Sequence, residues 1–406
     1  MKKKLKLLSL SCLINIIAFA QTSTKLSLEE AIQIALENNF DVVIEKNAQQ
    51  IGQINNNWGT AGLWPNISIN SSAGIASNNL EQRLSNGTTI KRNGAILRNI
   101  NAGFAVSWRI FDGMRMFATK KRLEELETIG ELTFRRQLNA TVFDVIVVYY
   151  QIVQLNQQKK AFNETIKFFE ERKQIAESRF TIGTAPKTDF LQAQVDLNQQ
   201  KGNLLVIENN IRVAKANFNN LLARTPETSF DVQDAITMDA AVNFALLQQK
   251  SQTDNYDLLL AQSRNDAGFT LFNRNLGPNG NIGVAIPIFQ GGNIKRQEKV
   301  ADINIKNQQI VITQLKNQVN TGLVNAYYNF QNASNLVELE KSTLLLIQEN
   351  NIIATERFRK LAITSLELRQ VQLDFINGQT RYINALYMAK LAEAEMKLLA
   401  GDLSRL

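Results

Sequence analysis

Histidine is absent from the chain, and cysteine occurs once among its 406 residues. Without imidazole the chain lacks the commonest metal ligand, the commonest general base and the usual nucleophilic triads. It also has no glycine-rich loop of the kind that binds phosphate. The scattered Asp and Glu residues follow the faces of predicted helices, so we interpret them as solvated charge. We therefore expect no enzyme activity, no cofactor and no metal site.

Proline is scarce as well, and the five prolines, at 65, 186, 226, 278 and 287, fall at the boundaries or strand ends inferred below. Two stretches, from Asp112 to Phe180 and from Gly292 to Phe358, contain no proline, and apolar residues recur in both at helical spacing. At about 1.5 Å per residue each helix would be roughly 100 Å long. A single soluble core does not use helices of this length, so they predict coiled-coil struts or the staves of a tube.

The N-terminus has the pattern of a signal peptide. Four lysines within the first six residues precede a mostly apolar run, and Ala18-Phe-Ala20 fits a cleavage site before Gln21. We assign residues 1–20 to this peptide; an uncleaved anchor and lipidation at Cys12 are the alternatives. Cleavage would remove four positive charges from a formal net charge of +8, so we expect no binding to nucleic acid. No later apolar run predicts a transmembrane helix.

The two proline-free stretches have matching ends. Trp108 to Met114 resembles Ile286 to Gly292 at the start, and Glu177 to Thr184 resembles Thr355 to Ala362 at the end. The chain is therefore predicted to be a tandem repeat. The first repeat is assigned to residues 21–225 and the second to residues 226–406.

Each repeat also contains two half-length helices, which together match one long helix. In the first repeat these are predicted from Ser27, a natural N-cap, to about Asn57, and from Lys187 to about Ala223. In the second repeat they are predicted from Met238 to Asp266, with a weaker apolar stripe after Gln248, and from Ser365 to Ala400.

A β-hairpin is predicted at about residues 66–110. Alternate residues are apolar in two stretches of about ten residues, with a polar loop over 78–99 between them. This pattern is typical of outer-membrane barrel strands, with lipid on one side and water on the other. The alternative is a half-buried hairpin in a soluble sheet. The aromatic residues at one end predict a membrane-interface belt, or else a small packing cluster: Trp58, Trp64, Trp108 and Phe111.

The second repeat has room for only a shortened hairpin, at about residues 268–288. Its two strands would have about eight residues each, slightly below the usual length of a membrane strand. Four strands cannot close a barrel, and lipid does not tolerate an open sheet edge. The chain must therefore assemble with other copies if its strands span a membrane, and three chains would supply twelve strands. The predicted fold class is mainly α with a small β part.

Several short motifs recur in order across both halves. They are Leu28-Glu-Glu-Ala-Ile, the junctions Phe111-Asp-Gly113 and Pro287-Ile-Phe-Gln-Gly-Gly292, and the turn Arg179-Phe-Thr-Ile-Gly183 followed by Thr188-Asp-Phe-Leu-Gln-Ala-Gln194. With these motifs the chain resembles the TolC family of outer-membrane efflux ducts over nearly all of its length after residue 20.

The resemblance implies a homotrimer in the outer membrane of a Gram-negative bacterium. It implies a 12-stranded β-barrel in lipid on a periplasmic tube of α-helices. Such a duct has no energy source and serves a tripartite efflux or type I secretion system. Its partners would be a periplasmic adaptor protein and an inner-membrane pump of the RND or ABC type. Drugs, metal ions, siderophores and polypeptides are all compatible as cargo.

The resemblance also implies that the two turns between long and half-length helices, Phe180 to Asp189 and Phe358 to Glu367, form the periplasmic tip of the tube. Residues there are expected to receive the adaptor: Arg179, Phe180, Gly183, Thr184, Asp189, Arg357, Phe358, Leu361 and Thr364. Glu367 and Gln370 align with two acidic gate residues of one family member. Three Glu367 carboxylates would form a ring that attracts cations, unless Glu367 only caps its helix.

The chain departs from the family pattern at Gln370, an amide where that family member has an acid, and at Leu361. Leu361 occupies the place of the usual glycine in the second turn, which disfavours a left-handed backbone there and predicts a different turn shape. Arg179 and Arg357 lie beside the turns, where pairing with Asp189 and Glu367 would hold the entrance shut. The alternative to a duct is a periplasmic coiled-coil adaptor or scaffold that never enters a membrane, which the shortened second hairpin favours.

Overall fold

The structure, a computed structural model, describes residues 25–233, 235–238, 242–266 and 291–403. The predicted signal peptide, residues 1–20, and the predicted second hairpin, about 268–288, lie outside these residues. Most of the described chain is helical, with few strands, as the predicted fold class requires. In chain order the elements are β1 (Lys25–Leu26), α1 (Leu28–Asn38), α2 (Phe40–Asn55), β2 (Asn66–Arg83), β3 (Thr89–Ser107), α3 (Arg115–Thr181), α4 (Lys187–Leu221), β4 (Asp231–Val232), α5 (Phe244–Thr253), α6 (Tyr256–Asp266), α7 (Asn293–Arg359) and α8 (Ser365–Leu399).

The chain divides into two compact units. The first, here called the turn unit, contains Val145–Thr237 and Leu336–Tyr387 together with the chain up to Ala35. The second, the hairpin unit, contains Leu36–Asp144, Met238–Asn335 and the chain from Met388 onward. Both long helices contribute to both units.

The two long helices agree with the sequence prediction to within three residues at each end. Helices α3 and α7 have 67 residues each. Helix α3 begins after Gly113 and Met114, both with positive φ, and Asp112 Oδ1 accepts a hydrogen bond from Met116 N at 3.1 Å. Helix α7 likewise follows two residues with positive φ, Gly291 and Gly292. The same backbone signal therefore starts the long helix in each repeat.

Helix α3 contains a stretch long and apolar enough to cross a membrane, which the sequence analysis had not expected in any helix. Half of that stretch is buried inside the chain. In the turn unit, Tyr149, Ile152 and Val153 are core residues of this helix. The apolar character of α3 is therefore explained by a protein core, as in many buried helices.

The first half-length helix is two helices, so the single helix predicted from Ser27 to Asn57 is wrong. Ser27 and Glu30 form the predicted capping box at the start of α1, with Glu30 N donating to Ser27 Oγ at 3.1 Å. The break falls at Asn39, whose Oδ1 accepts hydrogen bonds from Asp41 N and Val42 N at 3.0 and 3.2 Å. The asparagine side chain offers these amides an alternative to helical bonding, so a second helix starts there.

The equivalent helix of the second repeat is divided in the same way. Asn255 Oδ1 accepts hydrogen bonds from Asp257 N and Leu258 N, each at 3.1 Å. The predicted continuous helix from Met238 to Asp266 is therefore α5 and α6. The motif Asn-aromatic-Asp at both breaks is the sequence signal that could have located them.

The hairpin β2–β3 is longer than predicted, with strands of 18 and 19 residues. The predicted polar loop over 78–99 is wrong, because those residues continue the antiparallel ladder to a turn over 84–88. Glu81 lies opposite Lys91, and their charged atoms are 3.2 Å apart. The charged residues resembled a loop in sequence, but they form cross-strand pairs on an exposed ribbon.

A short parallel bridge joins the start of the chain to the end of the first repeat. Strand β1 pairs with β4, with Leu26 opposite Val232. Tyr149 Oη donates a hydrogen bond to Leu26 O at 3.0 Å and accepts one from Gln233 N at 3.1 Å. One buried tyrosine of α3 therefore contacts both sides of the bridge.

The second helix turn has the same shape as the first, against the expectation drawn from Leu361. Gly183 has φ +76° and Leu361 has φ +63°. In each turn this residue donates to the carbonyl three positions earlier, at 3.0 and 3.1 Å. The packing of the two helices holds Leu361 in a backbone conformation that costs an L-residue roughly 1–2 kcal/mol.

Every non-glycine residue with positive φ in the described ranges has a glycine with positive φ at the equivalent position of the other repeat. The three non-glycine residues with positive φ in the described ranges are Met114, Ala223 and Leu361. At the equivalent position of the other repeat, each has a glycine with positive φ, namely Gly292, Gly401 and Gly183. A constant spacing along the sequence relates all three pairs. The backbone of each turn is therefore shared by the repeats, although the side chain is not.

We predict opposite effects for two substitutions at the helix turns. Gly183→Ala adds a Cβ that meets no atom within 4 Å, so it introduces only backbone strain and should lower stability by about 1 kcal/mol. Leu361→Gly removes that strain and should raise stability by about 0.5–1 kcal/mol, less than the full strain because glycine is freer when unfolded. Chemical unfolding followed by circular dichroism measures both. A loss of stability in both variants would contradict the strain at Leu361.

Candidate functional sites

The hairpin has two chemically different faces, which the strand register defines. Ile67 lies opposite Val106 and Ile69 opposite Phe104, and these pairs share one face. The large apolar residues of this face are all exposed to solvent in the single chain: Ile67, Ile69, Ile75, Ile96, Ile100, Phe104 and Val106. The other face carries small or polar pairs such as Ser68 with Ala105 and Asn70 with Gly103. A contiguous exposed apolar surface of this kind indicates contact with lipid or protein.

The apolar band ends within the hairpin. It runs from Ile67 to about Ile75 on β2, close to the ~9–11 residues of a membrane-spanning strand. Arg98, opposite Ile75, is the first charge on this face. Beyond it the ladder has an irregularity between Asn78 and Leu80, and the tip carries charged residues. The hairpin is therefore apolar next to the helices and charged at its far end.

The four predicted belt residues have different surroundings. Trp58 is half-buried and packs edge-on against Phe117 of α3, with ring centroids 5.8 Å apart. The indole of Trp108 donates a hydrogen bond to Leu63 O at 2.9 Å, although most of its side chain is exposed. Trp64 and Phe111 are also exposed. Trp58 therefore fits the packing cluster that was the alternative, whereas the other three present aromatic surface beside the hairpin.

The first helix turn is closed by backbone and side-chain contacts. Thr184 donates to Arg179 O through its amide at 2.9 Å and through its hydroxyl at 3.2 Å. Phe180 and Phe190 stack with parallel rings 6.4 Å apart. Asp189, half-buried, lies in the first turn of α4 and donates its amide to Pro186 O at 3.2 Å.

Arg179 connects the first turn to the second. Its guanidinium donates to the backbone carbonyl of Phe358 and lies 4.1 Å from the centroid of the Phe358 ring. Phe358 is itself buried against Ala354 and Leu368. Burial lowers the pKa of Arg179, and nearby Asp189 opposes that shift. The predicted partners, Arg179 with Asp189 and Arg357 with Glu367, attract each other by charge in this single chain, without a close ion pair among the described residues.

Glu367 forms a capping box with Thr364 at the start of α8. Its carboxylate accepts hydrogen bonds from Thr364 N at 2.7 Å and from Thr364 Oγ1 at 2.9 Å, and its own amide donates back to Thr364 Oγ1 at 3.2 Å. These bonds, chiefly the one from the backbone amide, lower the pKa of Glu367. Gln370 is exposed and donates to Asp374 Oδ1 at 2.9 Å. Glu367 therefore has the helix-capping role that was the alternative to a gate.

Sequence analysis missed a buried charge cluster in the turn unit. Arg172 of α3 is 1% exposed, and its Nη2 donates to Asp196 Oδ2 of α4 at 2.6 Å. Arg369 of α8 approaches the same oxygen at 3.0 Å, and Ser365 Oγ accepts from Arg172 Nε at 3.3 Å. Burial lowers the pKa of Arg172, while Asp196 opposes that shift. Three helices from both repeats therefore meet at one carboxylate.

Comparison with known proteins identifies a family for the first half of the chain. Residues 31–224 match the outer membrane efflux protein family. The outer-membrane channel OprN shares the fold, with 14% identity, a TM-score of 0.75 and coverage of 92% of this chain and 90% of that one. VceC from Vibrio cholerae has 15% identity and a TM-score of 0.73, with coverage of 92% of this chain and 96% of that one. CmeC from Campylobacter jejuni has 14% identity and a TM-score of 0.69, with coverage of 92% of this chain and 85% of that one. None of the curated proteins compared matches the chain. The resemblance inferred from the sequence is confirmed.

We predict that Asp196→Ala destabilises the turn unit by about 3–5 kcal/mol, because it leaves the buried Arg172 cation without a counter-ion. Asp374→Ala is the matched control: Asp374 occupies the equivalent place in the second repeat and bonds an equivalent glutamine, but it is exposed. Its loss should cost no more than about 0.5 kcal/mol.

Chemical unfolding monitored by circular dichroism compares the two variants. The double variant Arg172→Met/Asp196→Leu should recover most of the loss, since it removes both buried charges. Equal losses in Asp196→Ala and Asp374→Ala would contradict the importance of burial.

Proposed function

From the outer membrane efflux protein family, to which residues 31–224 belong, we propose that three copies of this chain form an outer-membrane duct of a Gram-negative bacterium. The duct would give passive exit to small molecules or polypeptides. A periplasmic adaptor and an inner-membrane pump of the RND or ABC type would deliver them, in a tripartite efflux or type I secretion system. The chain itself would act as a channel component and not as an enzyme.

The exposed apolar band of the β2–β3 hairpin carries this proposal. Among the described residues, nothing covers either face of the hairpin, and its two strands pair only with each other. Lipid on the apolar face would bury it, and water in a lumen would solvate the small and polar face. The free strand edges require neighbouring strands, because backbone groups in lipid have no water to bond. Two hairpins from each of three chains would supply the twelve strands.

The long and half-length helices are consistent with the periplasmic tube of the proposed duct. Each repeat contributes one 67-residue helix and two half-length columns, and such helices suit a periplasmic tube. The helix turns present exposed apolar side chains, Ile182, Leu361 and Leu366, to an adaptor. We place the adaptor contact at the residues that the resemblance implies, from Arg179 to Asp189 and from Arg357 to Thr364.

A gate role for Glu367 is compatible with its capping role. The capping box occupies one carboxylate oxygen of an exposed side chain, so three copies around an axis would still present three negative charges. Gln370 would add a neutral amide next to each charge. We therefore assign Glu367 both functions and separate them by substitution below.

The alternative is a periplasmic coiled-coil adaptor or scaffold that does not span a membrane. The shortened second hairpin, outside the described residues, is the feature in its favour. A hairpin with an apolar band of membrane-strand length, which no described residue covers, has no role in such a scaffold. The duct therefore accounts for more of the molecule.

We predict that Ile69→Arg abolishes insertion into the outer membrane, since a cation facing the middle of the lipid layer costs about 2–4 kcal/mol. Asn70→Arg is the matched control, because the next residue points to the opposite face, and this variant should insert normally. Membrane fractionation and light scattering of the detergent-extracted particle measure the outcome. A particle of three wild-type chains is expected, with conductance in planar bilayers. A soluble wild-type monomer in the periplasm would support the scaffold.

We predict that Glu367→Gln reduces the cation selectivity of the conducting particle while leaving its stability nearly unchanged. Glutamine can take the place of glutamate in a capping box but carries no charge. Thr364→Ala, the matched control, removes the cap and keeps the charge, so it should lower stability by about 1 kcal/mol without loss of selectivity. Reversal potentials in a salt gradient measure selectivity. Unchanged selectivity in Glu367→Gln would restrict Glu367 to capping.

A further inference from the structure

Repeat-equivalent helices of the hairpin unit differ in burial. Helices α2 and α6 begin with the same motif, Asn39-Phe-Asp41 and Asn255-Tyr-Asp257, which sets their alignment. In that alignment Leu260 of α6 is 3% exposed, whereas its counterpart Ile44 of α2 is 60% exposed. The same position is therefore a core position in one repeat and a surface position in the other.

The contacts of α6 explain its burial. Asp257 lies 3.5 Å from Arg136 of α3, and Ala261 O accepts a hydrogen bond from Gln308 of α7 at 3.3 Å. Helix α6 thus lies against the long helix of its own repeat and against the long helix of the other repeat.

Helix α2 lies against the long helix of its own repeat. It packs closely on α3, where Gly52 approaches Glu127 and Gly130 approaches Gln49. Its remaining apolar stripe is exposed: Phe40, Val43, Ile44, Ile51 and Ile54. A helix stripe of this width is normally buried against a partner.

Helix α7 has an open surface that could pack against the exposed stripe of α2. A groove with a volume of about 1180 Å³ runs along this helix from Lys306 to Asn325. Ile310 and Asn317 in the groove are exposed, whereas their equivalents on α3, Leu132 and Asn139, are half-buried and buried. Gln314 in the groove is the equivalent of Arg136, which contacts α6. The face of α3 near α6 is therefore the face that is open on α7.

We propose that α2 of a second copy of this chain occupies the α7 groove, in the register that α6 has on α3. Asp41 of one copy would face Gln314 of the next, and the stripe around Ile44 would cover Ile310. This proposal rests on the proposed homotrimer and specifies its contacts. The interface is head-to-tail, since the two surfaces are different, and such an interface forms a ring when its rotation closes, as the proposed homotrimer requires.

The turn unit leads independently to the same conclusion. Ile383 of α8 is 7% exposed and packs with Ala161 of α3, whereas the equivalent Leu205 of α4 is 66% exposed. The equivalent of Ala161 on α7 is Leu339, which is also exposed. Helix α4 of one copy would therefore pack on α7 of the next as α8 packs on α3 within the chain.

The chemistry of this second seam favours a copy of the chain over a polar partner. Within the chain, Asn384 Oδ1 accepts hydrogen bonds from Gln154 and Gln158 at 2.8 and 3.0 Å. At the places equivalent to Asn384 and Gln158 the open surfaces carry Val206 and Leu336, both exposed, while the equivalent of Gln154 is Asn332. Two aliphatic residues that replace a bonded polar pair at matching positions are complementary to each other. Burial of these surfaces would contribute about 25 cal/mol for each Å² of apolar area.

Cysteine pairs test the register in the full-length protein with Cys12→Ser as background, because Cys12 is the only native thiol. Asp41→Cys/Gln314→Cys and Leu205→Cys/Leu339→Cys, treated with a short bismaleimide, should give covalent products of two and three chains. The in-chain equivalents, Arg136→Cys/Asp257→Cys and Ala161→Cys/Ile383→Cys, should link within one chain and leave the mass unchanged. Single-cysteine variants should give no product of higher mass.

The outcomes separate this proposal from the proposed duct. A particle of three chains in which neither pair links, or in which Asp41→Cys links instead to Thr321→Cys, two turns away, overturns the register and leaves the duct intact. A monomeric particle overturns the assembly and the register together. If Leu205→Cys/Leu339→Cys fails to fold, as judged by circular dichroism, the cross-linking of Asp41→Cys/Gln314→Cys tests the register instead. Both of these residues are exposed and polar, so their substitution should not prevent folding.

Discussion

In the part of the chain that the structure describes, a single copy leaves much apolar surface uncovered, and the proposed assembly follows from that constraint. The β2–β3 hairpin exposes an apolar face, which is unfavourable in water, and two strand edges, whose backbone groups would have no hydrogen-bond partners in lipid. Helix α2 and the middle of α7 expose complementary stripes on the same unit. The proposed assembly would complete the burial of these surfaces, and the tandem repeat would let one kind of helix contact serve within and between chains.

Periodicity over many residues made the long helices predictable, and the absence of proline located their ends. Local chemistry was harder to anticipate. The breaks in the half-length helices at Asn39 and Asn255 each depend on one side-chain oxygen. The charged residues of the hairpin, such as Glu81 and Lys91, resembled a loop in sequence because each one's partner lies on the other strand. The Arg172 cluster was missed because its members come from three helices that are distant in sequence.

Comparison of the repeats separates what the backbone requires from what the side chains contribute. The backbone requirement is shared, as the φ values of Gly183 and Leu361 show. The side chains differ where the surroundings differ: Asp196 is buried between two arginines, while Asp374 at the same place is exposed. The strain at Leu361 could not be predicted from its type, since helix packing overrides the preference of a single residue.

The parallel bridge between β1 and β4 has a consequence for the order in which the chain folds. Lys25 and Leu26 are made early, but their partners, Asp231 and Val232, are made only after the whole first repeat. Tyr149 is likewise made long before Gln233. A contact of such large sequence separation forms late. Strand β1 therefore has no partner until β4 has been made, and any fragment that stops before β4 leaves β1 unpaired.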